Sequence, residues 1–436
     1  MKLTKLSAAI LFGLASTGSF AGALDRSGQS ISSFLQPGNY FEAGISILDP
    51  SVSGQEKLEY GNRTIEDMAG DYFFPSAALK LQVNDNFSFG LIYDQPFGAD
   101  ATYKGQNNFV ASPNDSILTG LPLVTGLLGA NAPTGSTSVE VDTQNLSMIF
   151  GFQPNENINL YAGPAYQSIK GNVKLRGQAY SVFNGYDANI SEDYAWGWLA
   201  GAAYQIPEIA LKASITYRSE IDHKFRADEN IGLAAAAPIL AGSGAVPTPL
   251  IPALTGFAAA NNAEGTTKIT TPQSVNVDLQ TGIMADTVAF ANLRWVDWSN
   301  FSIQPYKFGV ASQAVGGIVN RPNGFNLVEY SDDQISATVG VGRKLNEQWA
   351  GNVSVGWDSG AGNPVSTLGP TEGYWNVGLG VQFSPTPSTF IAGGVKYFWL
   401  GDAKAQTGAQ AGGSEYVADF NSNDALAYGL KIGYKF

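Results

Sequence analysis

The chain has 436 residues, a net charge of −13, 14% charged residues, no cysteine, and 51 Gly, 24 Phe, 19 Tyr and 8 Trp. The acidic balance argues against nucleic acid, which needs basic stripes, and the lack of cysteine excludes a disulfide framework. A soluble chain of this size ordinarily carries roughly a quarter charged residues, so this composition suits a chain whose surface is not all in water.

The first residues read as a secretory signal: Lys2 and Lys5, an apolar core over 6–14, and a small-x-small cleavage site at Ser19, Phe20 and Ala21. The signal is predicted as 1–21, with cleavage after Ala23 as the alternative. Beyond it, no apolar run of membrane-spanning length lacks a proline, so no helix is expected to cross a bilayer. Residues 22–38 lack strand alternation and are expected in the periplasm or inside a lumen.

From residue 39 onward, period-2 segments recur. Phe41, Ala43, Ile45 and Ile47 alternate with Glu42, Gly44 and Ser46; Leu79, Leu81 and Val83 alternate with Ala78, Lys80 and Gln82. Further on, Leu211, Ala213, Ile215 and Tyr217 alternate with Lys212, Ser214, Thr216 and Arg218. Val275, Val277 and Leu279 follow, then Trp375, Val377, Leu379, Val381 and Phe383. The chain ends on the clearest run, Leu426, Tyr428, Leu430, Ile432, Tyr434 and Phe436, set against Ala427, Gly429, Lys431, Gly433 and Lys435. A terminal aromatic is the signal that barrel-assembly machinery reads.

Short polar turns near 84–86, 154–157, 205–208, 285–287, 346–348 and 384–388 alternate with long connections near 49–71, 95–140, 171–193, 221–272, 300–332, 359–372 and 401–423. Short periplasmic turns and long external loops are what an outer-membrane barrel requires. The fold class is therefore all-β, a transmembrane antiparallel β-barrel of about fourteen strands over 39–436, with 22–38 as a short luminal plug. The soluble β-sandwich is the competing class.

The motifs resemble the FadL/TodX family of outer-membrane transporters for long-chain fatty acids and other hydrophobic compounds. The resemblance lies in Pro96, Phe97 and Gly98 followed by Thr102 and Tyr103; Tyr217, Arg218, Ser219 and Glu220; and Trp295, Val296, Asp297, Trp298, Ser299, Asn300 and Phe301. Val339 to Gly342, Trp349, Trp357 with Asp358, and Trp375 to Gly380 follow in the family order. The resemblance implies fourteen strands, an N-terminal hatch in the lumen and a lateral opening near the third strand. The front departs from the family pattern: an asparagine-proline-alanine motif is missing and only Pro37 and Gly38 remain.

Candidate ligand-binding residues come from two apolar external loops: Leu118, Leu121, Leu123, Val124 and Leu127, then Leu233, Ile239, Leu250, Ile251, Leu254 and Phe257. Exposed apolar surface of this extent marks a binding site, the alternative being two loops packed as a lid. Pro238, Pro247, Pro249 and Pro252 exclude a spanning helix there. Pro96 and Gly98 end the third strand, and with Asp94 and Phe97 form the candidate lateral gate.

Luminal cations include Lys212, Arg218, Arg294, Lys344, Lys396 and Lys431; Arg218, Arg294 and Lys396 are possible partners of a fatty-acid carboxylate. Salt bridges to Glu42, Asp94, Asp278 or Asp358 are the plain alternative. His223 is the only histidine and reads as a solvated rim residue. Trp295, Trp298, Trp357 and Trp399 read as interfacial girdle, and Asp228, Glu229, Asp332 and Asp333 as solvated loop residues. No catalysis, cofactor or metal is expected. The expected partners are a hydrophobic small molecule, outer-membrane lipid and lipopolysaccharide, with the protein acting as a monomer. A diffusion porin for polar solutes and an outer-membrane lipid hydrolase are the alternative functions.

Overall fold

The computed structural model describes residues 23–117, 124–244 and 246–436. The predicted signal sequence and Leu118, Leu121 and Leu123 lie outside the described residues.

Fourteen strands run antiparallel to their neighbours: β1 (Tyr40–Ser51), β2 (Tyr72–Gln82), β3 (Phe87–Asp94), β4 (Ser138–Asn155), β5 (Ile158–Leu175), β6 (Tyr186–Ile206) and β7 (Leu211–Arg218). They continue as β8 (Ser274–Met284), β9 (Thr287–Val296), β10 (Gln334–Lys344), β11 (Trp349–Asp358), β12 (Tyr374–Thr386), β13 (Thr389–Leu400) and β14 (Asp424–Lys435). The sheet closes where β14 pairs back onto β1, Tyr40 opposite Lys435, so the barrel has no free edge there.

Alternation sets which side chains meet lipid. Along β12, Trp375, Val377, Leu379 and Val381 are exposed while Tyr374, Asn376, Gly378 and Gly380 are buried. Along β14, Leu426, Tyr428, Leu430, Ile432 and Tyr434 point out. Trp357, Trp375 and Trp399 sit in register on adjacent strands, as an aromatic girdle does. This parity predicts that Leu430→Arg costs about 2–4 kcal/mol in a folding titration into lipid vesicles, whereas Gly429→Arg, on the lumen side, escapes that cost. Equal destabilisation by the two would undo the register.

One rim carries the six predicted short turns; the other carries the long connections. One loop is shorter than predicted, because β5 and β6 continue to Leu175 and from Tyr186. With β4 they reach 18, 18 and 21 residues and stand above the rest of the wall. Above the barrel the apolar loops are not strand-like: α1 (Ala237–Gly242), α2 (Ile251–Ala260) and α3 (Tyr306–Gly316) form there. Proline is tolerated in a first helical turn, so Pro238 and Pro252 permit these short helices while excluding long ones.

Glu229, expected as a solvated loop residue, is instead buried. Its carboxylate accepts the Lys307 and Phe308 amides (2.9 Å each), whose donors open α3, and the Tyr186 hydroxyl (2.8 Å). Unpaired amides at a helix start attract a carboxylate, and the contact ties α3 to the top of β6.

Candidate functional site

The wall has one irregularity with chemical consequences. β3 pairs with β4 up to Asp94 opposite Asn145, and pairing resumes at Gly98 opposite Asp142 along a short segment, Gly98–Thr102. The third strand was expected to end at Pro96 and Gly98; it breaks over 95–97 and then continues. Three residues there face two on β4, and the surplus turns the chain inward.

On the other side, β2 pairs with β3 only from Ala77 to Gln82. Its upper residues, Tyr72–Ser76, keep β1 as their partner but lose β3. Pro75, with no N–H to donate, lies on this free stretch, where proline is tolerated. The gap is bounded above by Tyr72, whose hydroxyl receives the Asp100 amide (2.6 Å), and by the Gly70 amide donating to the Asp100 carbonyl (3.1 Å). A cavity of about 60 Å³ reaches it from inside, lined by Ser27, Ser30, Ser76, Phe74, Tyr93 and Asp94 among others.

Main chain from the N-terminal segment fills the position that β2 gives up. The Arg26 amide donates to the Pro96 carbonyl (2.7 Å) and the Gly98 amide to the Leu24 carbonyl (2.9 Å), with Asp25 bridging Phe97. On the opposite side Thr143 Oγ1 receives the Phe97 amide (2.9 Å) and donates to the Phe97 carbonyl (2.7 Å). Phe97 is thus held between 24–26 and β4, its ring edge-on to Trp298 at 5.6 Å.

Residues 23–38 lie among luminal side chains from opposite walls. Lys80 of β2 donates to the Gln36 carbonyl (2.5 Å) and Lys212 of β7 to the Leu35 carbonyl (2.7 Å). Phe34 packs with Ile31, Leu35, Ile149, Tyr161, Leu199 and Ala203. It enters the wall where β3 and β4 carry Gly90 and Gly151; a Cβ at either glycine would collide with its ring. Glu42 accepts Ser33 Oγ and Tyr40 Oη (2.6 Å each) and the Lys431 ammonium (3.0 Å).

The three candidate carboxylate partners differ. Arg294 is buried and pairs through Nε with Asp25 Oδ2 (2.6 Å), an acidic residue outside the four considered from sequence. Arg218 is also buried, and its Nε and Nη1 have no hydrogen-bond partner among the described residues. It faces a small cavity shared with Gln29, Phe97, Gln167, Trp198 and Thr271. Lys396 is buried on β13. The proximity of Phe97 and Arg218 was not legible from their 121 positions of separation in sequence.

Of the apolar loop residues, Leu233, Leu254 and Phe257 are buried in the packed loop layer, where Phe257 meets Phe183 at 5.3 Å and Phe183 meets Phe308 at 4.5 Å. Leu250, Ile251 and Val124 are half-buried, while Leu127 and Ile239 stand exposed. Of the eight described candidates, three are thus buried in the loop layer and five are at least partly exposed.

Two further readings are corrected. Trp298 is no girdle residue: it is 0% exposed, packs edge-on with Phe301 and Tyr330, and donates Nε1 to Gln334 (2.7 Å). His223 is no rim residue: it is fully buried, with Nδ1 on Asp193 (3.1 Å) and Nε2 on Gln167 (3.2 Å). The group at Nε2 is the Gln167 amide oxygen, which is not a nucleophile. Among the described residues, no group of three His, Cys, Asp or Glu is arranged to hold a metal ion.

The external loop 359–373 carries a titratable group. Glu372 Oε1 accepts the Gly362 amide (3.0 Å), and Oε2 is buried with no partner among the described residues. Gly360, at φ 75°, lies so close that a Cβ would overlap the carboxyl. Burial, with Asp332 adding, pushes this carboxyl up from its ordinary 4.5 to about 7. The folded loop therefore favours the protonated form, and its stability is lost as pH rises from about 4.5 through 7. Hydrogen exchange over 359–373 should be slower at about pH 5 than at about pH 8 after correction for intrinsic rates, with the difference removed in Glu372→Gln.

A family model described as outer membrane protein transport protein (OMPP1/FadL/TodX) matches residues 129–436. Among solved structures, a Pseudomonas aeruginosa FadL homologue superposes with a TM-score of 0.67 at 14% identity, covering 99% of this chain and 98% of its own. The P. putida toluene transporter TodX gives 0.59 at 11% identity over 93% and 91%. The Ralstonia pickettii toluene transporter TbuX gives 0.54 at 11% over 97% of each chain. At such identities the likeness is one of fold. No curated protein sequence matches the chain.

Proposed function

Because the chain belongs to the OMPP1/FadL/TodX family of Gram-negative outer-membrane transport proteins, we propose that it takes up long-chain fatty acids passively and releases them sideways through the break at 95–97. The observation that carries this reading is the break itself. It lies between Tyr72–Ser76 of β2 and the third strand, at the level of the wall rather than above it, with a cavity leading to it from the lumen. An apolar molecule leaving there enters hydrocarbon without crossing water, which makes burial of its tail the driving term.

In this reading, ligand is collected by the external loops from the lipopolysaccharide surface. Exposed Leu127 and Ile239 and the loop residues Leu118, Leu121 and Leu123 are its first contacts. Residues 22–38 act as the plug, and Asp94, Pro96, Phe97 and Gly98 form the gate. Arg218, with two buried donors lacking acceptors, favours a carboxylate over a bare hydrocarbon such as toluene, since a charge-assisted bond away from water is strong. No reaction or cofactor is involved. The barrel acts as a monomer, inserted by the assembly machinery.

A diffusion porin is disfavoured by the N-terminal segment crossing the lumen, and conductance separates the two. Uptake of labelled oleate into liposomes bearing the purified barrel is the test. Uptake that persists when 95–97 is stapled to β2, by a disulfide between cysteines placed at Ser76 and Gln95, would refute lateral exit. Ready passage of sugars would favour the porin.

A further inference from the structure

The lipid-facing side of β8, β9 and β10 carries a depression. The register sets two rows across these strands: Leu279, Ala291 and Val339 in one, Thr281, Ala289 and Val341 in the other. Alanine between larger neighbours makes β9 the floor of a groove of about 500 Å³. Leu293, the next outward side chain on β9, stands exposed at its upper end. Ala289 and Ala291 follow closely on Thr287, where β9 leaves the short turn of the periplasmic rim. At about 3.4 Å per residue along a tilted strand, both lie in the periplasmic half of the roughly 25 Å apolar band.

A cation stands at the lower end of this groove. Arg343 follows Val341 on the outward side of β10, between Thr287 on β9 and Gly351 on β11. It is exposed, and its two cross-strand neighbours are small, so its guanidinium is open toward lipid. Among the described residues it has no carboxylate partner; Nη1 contacts the Met284 sulfur at 4.0 Å. Just below it on β11, Trp349 packs on Phe383 at 4.8 Å, which marks the periplasmic aromatic belt. Between that belt and the external one, the lipid-facing positions of the fourteen strands hold no other Lys or Arg among the described residues. A charge on the lipid face is costly away from the interface, so an unpaired arginine here calls for an anion from the membrane itself.

We propose that the groove and Arg343 together hold one anionic glycerophospholipid of the periplasmic leaflet on the outside of the barrel. Its acyl chain lies over Ala289 and Ala291, and its phosphodiester sits on the Arg343 guanidinium. Within a bilayer a tail gains no hydrophobic energy by leaving other tails, so the groove supplies packing and the head group supplies selection. The guanidinium fork donates two parallel N–H bonds to phosphate oxygens, a charge-assisted pair that a neutral lipid does not offer. The arginine stem reaches the head-group level by lying along the apolar wall. Lipopolysaccharide phosphates lie at the opposite face of the membrane and do not reach it. The site is on the outer surface, so the proposal stands apart from what the lumen carries.

The test titrates the purified barrel in detergent with phosphatidylglycerol and with a diacylglycerol of the same chains, and reads retained lipid by native mass spectrometry. Phosphatidylglycerol should bind at least about tenfold more tightly than the diacylglycerol. Arg343→Gln should remove that difference, and Arg343→Lys should restore only part of it, since an ammonium lacks the fork. Ala291→Phe should fill the floor and weaken both lipids by about tenfold while the preference for phosphate remains. These side chains face lipid, and heat-modifiable migration checks that each barrel is intact. Equal binding of the two lipids by the parent barrel would overturn the proposal, as would unchanged phosphatidylglycerol binding in Arg343→Gln or in Ala291→Phe. A dimer that Ala291→Phe dissociates would make a second barrel the occupant and overturn it as well.

Discussion

Removing Phe436, or replacing it with Asp, is expected to abolish the heat-modifiable barrel, leaving unassembled chain that is degraded. Two physical facts carry this. Phe436 stacks on Tyr434 at 5.5 Å and 9°, both rings outward at the periplasmic rim, so Asp would place a charge at an apolar interface. The Phe436 amide also donates to the Asn39 carbonyl (3.2 Å), the last bond of the seam where β14 meets β1. That seam exists only in the closed barrel, so weakening it acts on closure as a whole. The measurement is gel migration of boiled and unboiled outer-membrane fractions. A variant that still shifts on boiling would show that closure does not need the terminal ring.

Phe34→Ala is expected to undock the N-terminal segment without unfolding the barrel. The ring is fully buried, edge-on to Tyr161 at 5.7 Å, in a recess made by two glycines. Truncating such a residue costs about 3–5 kcal/mol. All of that falls on the docking of 23–38, because no strand hydrogen bond involves it. Segment occupancy should drop by orders of magnitude, read as raised single-channel conductance and faster exchange at Ile31 and Leu35. Gly90→Leu should produce the same phenotype from the opposite wall. Unchanged conductance in both variants would mean that the lysine–carbonyl bonds from Lys80 and Lys212 hold the segment by themselves.

The strand pattern was readable because lipid on one side and a polar lumen on the other impose a period of two along most of each strand, interrupted only at irregularities such as that between Ile169 and Gly171. Leu426 to Phe436 shows it most cleanly, and turn spacing supplied the strand number. What alternation does not encode is where the two faces stop being equivalent. Pro75, the other lip of the opening, was present in the sequence as a proline inside an alternating run, a mark of an edge strand. Gly90 and Gly151 make room for a ring supplied from residue 34, which nothing in their own strands signals. Trp298 and His223 were misplaced for one reason: both lie just beyond a strand end, and sequence does not say whether the chain there turns outward to water or folds back over the lumen. Arg294 was recognisable as luminal, but its partner comes from a segment with no periodicity at all.

Asp25 and Arg294 are 269 positions apart, and the segment carrying Asp25 touches β2, β7, β8 and β9. Contacts of such long range form late. The segment 23–38 precedes every strand of the barrel in the chain, yet it can seat only after the far wall exists to receive it. If the segment seals the lumen, sealing is expected to follow closure, with a leaky stage between them. A membrane receiving many such molecules at once should show a brief rise in permeability that tracks the rate of insertion rather than the amount of finished barrel.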